Sequence, residues 1–287
     1  MNVDEFDKPI ILIGAARSGT KFLRDCLAAS PNCSAVPYDI NYIWRYKQEK
    51  LTHDILDPNL ASPKIRSFIH KSIIKLSKAE KGDRIIEKTV SNTLRIPFID
   101  KIYPNAIYVH LIRDGRDVVE SSMRQWAAPP KAGALLTKLK SIPLQNVGYV
   151  FWYAGNLVSG FVKGGRKGGN IWGPRYPGIT ENARQVSLAD VCARQWKNCV
   201  EKSVKDLGDI DPRRVHTIRY EDFVSNKESL IDLADKLGLK NPYDCAEAMQ
   251  KNLRIMGGVP AWTTLPAKDI EMIESVISDT LSNLGYK

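Results

Sequence analysis

The stretch Ile11-Leu12-Ile13-Gly14-Ala15-Ala16-Arg17-Ser18-Gly19-Thr20-Lys21 limits what this chain can fold into more than any other. A β-branched and leucine run from Pro9 stops at Gly14, which predicts a short buried strand. Helical spacing follows from about Thr20 to Ala29, through Phe22, Leu23, Cys26 and Leu27, until Ser30-Pro31 ends it. A helix that begins directly behind a strand turns free backbone N–H groups and a positive dipole end towards whatever anion sits there. Gly14 permits the sharp exit from the strand, and Gly19 lets the backbone come close to that anion. Arg17, Ser18, Thr20 and Lys21 add side-chain donors. The loop differs from the triphosphate-binding pattern GxxxxGK[ST] only in the swapped pair Thr20-Lys21. Taken alone it reads equally well as a basic helix cap.

The rest of the chain repeats the strand-then-helix order. Helices are expected over Pro63–Ala79 and Asn92–Ile102, with strands over Arg84–Glu87 and Ala106–Ile112. Asp114 is placed to cap a helix that runs through Ser122. Helical periodicity returns from Ser187 to Leu207, Val215–Arg219 reads as a strand, and the chain closes with a helix over Lys268–Leu284. Strands alternating with helices imply an α/β fold of three layers, a central parallel sheet flanked by helices and P-loop-like at its first loop. The expectation is one domain across 1–287, interrupted by an irregular insertion at about 127–186 that includes a glycine-rich run from Gly155 to Gly178. The 22 uncharged residues Ser141–Val162 are too diluted by Pro143, Gln145, Asn146, Asn156 and three glycines for a membrane span. They fit a buried helix, or an apolar wall beside an acceptor site.

A second basic cluster follows the Ala106–Ile112 strand: Arg113-Asp114-Gly115-Arg116-Asp117, with Glu120 and Ser121 beyond it. Arg113 falls at the carboxyl end of its strand, where open parallel sheets bind ligands. Ser121 lies two turns into the next helix and can return a hydroxyl to the same anion. A net charge of +10 suits any polyanion and selects none.

Together these two sites resemble the PAPS-dependent sulfotransferase superfamily (PAPS, 3'-phosphoadenosine-5'-phosphosulfate). The resemblance implies that Arg17-Ser18-Gly19-Thr20 holds the 5'-phosphosulfate, with Lys21 beside it, and that Arg113 and Ser121 hold the 3'-phosphate. It extends to Glu87-Lys88-Thr89, to Arg219-Tyr220-Glu221-Asp222-Phe223, which puts Tyr220 near the nucleotide, and to Trp262 before the last helix. It implies PAPS as donor, adenosine 3',5'-bisphosphate (PAP) as product, and fixed cations in place of a metal ion. The phenol and steroid branch carries a histidine where this chain has Val90, and an RKG segment where it has Ile255-Met256-Gly257. The chain is therefore closer to the glycan, tyrosylprotein and bacterial branches.

Those branches place the general base in the loop after the first helix, and Asp39 occupies that place here, with Glu87 as the runner-up. Asp39 is also a candidate helix cap for Tyr42–Tyr46. Lys88 would polarise the oxygen bridging phosphorus and sulfur, and Arg17 would share the charge on the departing phosphate. His53 and His70 read as solvated, His110 as a core residue, and His216 as a strand residue before Arg219.

The function implied is sulfuryl transfer to an acceptor hydroxyl, of a glycan or glycolipid if Trp44, Trp126, Trp152 and Trp172 supply faces for sugar rings. A small phenol or alcohol, or a peptide tyrosine, is the alternative acceptor. A P-loop kinase needs an acid for Mg2+ where Arg113 stands. A nucleic-acid module needs a concentrated basic face, whereas these basic residues are dispersed, so no nucleic-acid partner is expected. There is no CxxC pair among the five cysteines and no basic leader, which leads to an expectation of reduced thiols and a cytoplasmic location, with peripheral membrane contact left open.

Overall fold

The computed structural model describes residues 6–128, 171–253 and 260–286. Five strands form one parallel sheet in the order β2-β3-β1-β4-β5. They are β1 (Ile10–Ile13), β2 (Cys33–Ala35), β3 (Arg84–Lys88), β4 (Ile107–Ile112) and β5 (Val215–Arg219). The α/β, three-layer expectation is met. Alternation along β1 explains the layers, since successive side chains on a strand face opposite ways. Ile10 and Leu12 pack with Leu23 and Leu27 of α1 (Thr20–Leu27) and with Phe223 and Leu230 on one face. Ile11 and Ile13 pack on the other face with Trp44, Ile69 and Phe98. These belong to α2 (Asn41–Trp44), α3 (Pro63–Ser77) and α4 (Ile96–Ile102).

The chain continues through α5 (Gly115–Ala127), α6 (Ile179–Gln185), α7 (Leu188–Gly208), α8 (Tyr220–Ser225), α9 (Lys227–Lys236), α10 (Pro242–Asn252) and α11 (Ala267–Asn283). Asp114 caps α5 by accepting the Arg116 N–H at 2.9 Å, as its position predicts, but the helix runs past Ser122 to Ala127. The single helix expected over Asn92–Ile102 is instead a 3-10 turn, Val90–Leu94, and then α4. Pro97 supplies the reason, because it has no N–H to continue a helical ladder across Arg95.

His70 is buried rather than solvated: its Nε2 meets the Ile102 carbonyl at 3.0 Å and its ring stacks on Tyr103. His110 is a core residue, bonded to Ser203 and pushed down to about 4 by burial. Trp44 is wholly buried and presents no face to a ligand. All five cysteines are free thiols, and burial pushes Cys26, Cys33 and Cys199 up to about 12.

Most of the expected insertion, with Ser141–Val162 and Trp152, lies outside the described residues, as does Ile255-Met256-Gly257. Among the described residues, no helix is long and apolar enough to cross a membrane.

Candidate active site

Register sets the site. Leu12 of β1 lies beside Lys88 of β3, Ile13 beside His110 of β4, and Ile112 beside Arg219 of β5. The carboxyl ends of four adjacent strands therefore deliver the Gly14–Gly19 loop, Lys88, Arg113 and Tyr220 to one edge of the sheet. Chain order reverses about β1, and a reversal of this kind opens a crevice at those ends.

The first loop is tightly determined. Arg17 takes a left-handed backbone at φ 74° and Gly19 at φ 95°. A Cβ on Gly19 would lie 2.5 Å from the Tyr220 ring, so only glycine fits there. No side chain caps α1, which leaves its first N–H groups for an anion. Ser18 and Thr20 are buried at the helix entry. Lys21 is not brought into the cluster: its ammonium lies 2.7 Å from Asp25, one turn along an exposed face.

Arg17, Ser121 and Arg113 do come together. Arg17 Nε donates to Ser121 Oγ at 2.9 Å, and Arg113 donates to the Arg17 carbonyl at 3.3 Å. Arg113 stacks its guanidinium 4.2 Å from the centre of the Tyr220 ring and lies 3.6 Å from Asp117. Burial first, and then the Arg124 and Arg113 charges, pull the Arg17 pKa down, so its charged form gains from an anion brought beside it. The Arg113 Nε is buried and has no partner among the described residues. An anion entering here would relieve both features, so the residues fit a phosphate-bearing ligand.

The second half of the site lies beyond β3. Lys88 is nearly buried and ion-pairs with Asp39, whose side chain keeps 30% of its surface. Asp39 does not cap α2, whose N-cap position is Ile40 and carries no side-chain bond. Glu87 is fully buried. Its Oε1 accepts from Thr89 Oγ1 at 2.5 Å and its Oε2 from Asn92 Nδ2 at 2.7 Å. Burial pushes its pKa up to about 7. Thr89 Oγ1 in turn accepts the Ile40 N–H at 2.9 Å, which ties the backbone next to Asp39 to the end of β3. Of the two candidate carboxylates, only Asp39 has a face open to an incoming group.

Several charged residues that nothing in their spacing marks out hold this loop. Arg24 donates to the carbonyls of Val36 and Pro37 at 3.2 and 2.8 Å. Asp54, wholly buried, accepts from Arg45, Asn41, Ser91 and the Arg175 N–H. A charged residue inside a helical or loop pattern reads as solvated, and nothing in its spacing says otherwise. A cavity of about 410 Å3 lined by Leu51, His53, Leu94, Pro97 and Lys202 contains none of the candidate residues.

Fold and site together define an α/β protein of the P-loop-like class, with a candidate anion cradle across four strand ends. Residues 9–140 match the model of the Sulfotransferase family. A putative protein-tyrosine sulfotransferase from Caenorhabditis briggsae is 25% identical over 129 residues, 43% of this chain and 45% of that relative. The match thus spans less than half the length of the curated relative.

The sulfotransferase domain from the curacin biosynthetic pathway superposes with a TM-score of 0.51 at 15% identity, covering 98% of both chains. Sulfotransferase STF9 from Mycobacterium avium gives a TM-score of 0.57 at 10% identity, over 98% of this chain and 78% of its own. The resemblance carried by the motifs is met by the family match over the first half and by a sulfotransferase fold over nearly the whole chain.

Proposed function

We propose that this protein transfers a sulfuryl group from PAPS to an acceptor hydroxyl. The observation that carries the reading is the Arg17–Ser121–Arg113 cluster, its donors brought together with a buried Arg113 Nε left over, on a sheet edge of the sulfotransferase fold. PAPS supplies an activated sulfuryl group on a 5'-phosphate and a 3'-phosphate that marks it. Arg113 and Ser121 hold the 3'-phosphate, and the N-terminus of α1 with Ser18, Gly19 and Thr20 holds the 5'-phosphate.

The acceptor oxygen attacks sulfur as the bridging S–O bond breaks. Asp39 takes the hydroxyl proton, while Lys88 and Arg17 offset the charge gathering on the departing phosphate. Thr89 and Glu87 hold the Asp39 loop in place. The roles are supported by position: Asp39 is open and next to Lys88, whereas Glu87 is enclosed.

A glycan or glycolipid hydroxyl is the acceptor we favour, with Trp126 and Trp172 half-buried and able to offer ring faces. Trp44 no longer supports that choice. A peptide tyrosine is the second reading, favoured by the likeness to a putative protein-tyrosine sulfotransferase. A transfer assay with radiolabelled PAPS across glycans, glycolipids and tyrosine peptides separates them.

The donor is tested by calorimetry with PAP against adenosine 5'-phosphate and ATP. The wild type should prefer PAP, and Arg113→Ala should lose about 1.5–3 kcal/mol of that preference. Equal affinity for PAP in both proteins would refute the assignment of the 3'-phosphate.

A further inference from the structure

The corner Arg219-Tyr220-Glu221, where β5 becomes α8, has more bonds than nucleotide contact requires. Together they tie the first loop, the Arg113–Asp114 turn and the Leu284–Tyr286 turn to one another. Tyr220 lies against Gly19 of the first loop and beneath Arg113. Glu221 divides its oxygens: Oε1 accepts the Asp114 backbone N–H at 3.0 Å, and Oε2 accepts the Tyr286 hydroxyl at 2.8 Å. Arg219 lies 4.7 Å from the centre of the Tyr286 ring and donates to the Leu284 carbonyl.

The turn that brings Tyr286 there is built for the purpose. Gly285 has φ 74°, and a Cβ on it would lie 2.9 Å from the Arg219 guanidinium. Burial and the Glu221 charge push the Tyr286 pKa up, so its hydroxyl stays a donor.

Asp114 is the hinge of interest. Its amide stands between Arg113 and α5, which carries Ser121 two turns on. Its side chain is spent on Arg116, with 2.9 Å to the Arg116 N–H and 2.7 Å to the guanidinium. The backbone anchor of this turn is therefore Glu221. A carboxylate held by donors on both oxygens keeps one orientation, whereas one held on a single oxygen is free to rotate.

We propose that Tyr286, acting through Glu221, is a positioning residue for the 3'-phosphate, holding the Arg113–Asp114 turn where Arg113 can receive it. The inference rests on the PAPS reading above. It links the turn after the last helix to a nucleotide contact more than 160 residues earlier in the chain.

Calorimetry with PAP and adenosine 5'-phosphate tests it, on wild type, Tyr286→Phe, Arg113→Ala and the double variant. Tyr286→Phe removes one hydroxyl and keeps the ring on Arg219. It should weaken PAP binding about three- to tenfold and leave adenosine 5'-phosphate within about twofold. In the Arg113→Ala background it should add nothing, because the contact it positions is gone. The inference is overturned if Tyr286→Phe binds PAP like wild type, if both nucleotides weaken alike, or if the loss persists without Arg113. A wild type with no preference for PAP sinks the PAPS reading and this inference together. A wild type with that preference and an unchanged Tyr286→Phe sinks this inference alone.

Discussion

Replacing Glu87 with glutamine should change how folding stability depends on pH, by an amount that follows from its burial. Glu87 has no exposed surface, and its pKa rises from an ordinary 4.5 to about 7. The folded chain thus holds the proton more tightly than the unfolded one. The stability this contributes is full below pH 4.5 and is lost as pH rises through about 7. At about 1.4 kcal/mol per pH unit, with the two ends rounded off, the loss between pH 5 and pH 8 comes to about 2.5 kcal/mol. His110 works in the opposite sense, since burial lowers it from 6.5 to about 4 and its contribution grows as pH rises through that interval. In wild type the two slopes nearly cancel around pH 5 to 6, so the wild-type curve alone decides nothing. The difference between wild type and Glu87→Gln isolates the carboxyl. Urea unfolding of both proteins, followed by tryptophan fluorescence at constant ionic strength from pH 5 to pH 8, measures it. Relative to the variant, wild type should lose about 2.5 kcal/mol over that range. Parallel curves would refute a neutral, buried Glu87.

Three further outcomes are expected. Asp39→Asn keeps the shape and removes the basicity, so turnover should fall about 10²–10⁴-fold while PAP affinity, read by calorimetry, stays unchanged. Sulfuryl transfer should run at an undiminished rate in EDTA, because Lys88 and Arg17 are the charges assigned to the leaving phosphate; a radiolabel assay with and without chelator reads this directly. Asp54→Ala takes the carboxylate away from Arg45 and Arg95, at 3.0 and 3.8 Å, and should cost about 3–5 kcal/mol in urea unfolding.

The parts of the site legible in the sequence are those where a backbone demand and a chemical demand fall on the same residues. Gly19 with Arg17, and Arg113 at the end of an apolar strand, could be read because a strand end, a helix start and a cation coincide in a few positions. Ser121 could be placed from helical spacing, and the structure sets its Oγ 2.9 Å from Arg17. Lys21 was read into the loop because it is adjacent in sequence, yet helical rotation carries it to Asp25. The supporting shell was not legible. Arg24, Asp54 and Arg95 are buried ions whose partners lie in other segments, and neither composition nor periodicity marks such a residue. Trp44 misled for the same reason, since an aromatic residue in a loop sequence carries no label separating a ligand face from core.

The arrangement of that shell explains how a loop can hold a proposed base steadily while leaving it open. Strand ends are rigid because the sheet fixes them, and the cradle of Arg113, Tyr220 and the first loop uses that rigidity. Asp39 has no strand beneath it. Its loop is gripped instead from three sides: Arg24 on the Val36 and Pro37 carbonyls, Thr89 on the Ile40 amide, and Asp54 on Asn41. Two of these grips fall on Ile40 and Asn41, the two residues that follow Asp39. None of them uses the Asp39 carboxylate, whose partner among the described residues is Lys88. Bonds to its neighbours, and not to the carboxylate, therefore set its position, and the carboxylate oxygens remain available to Lys88 and to an incoming acceptor. That division is what a general base requires, because a side chain bonded for support has fewer lone pairs for a proton.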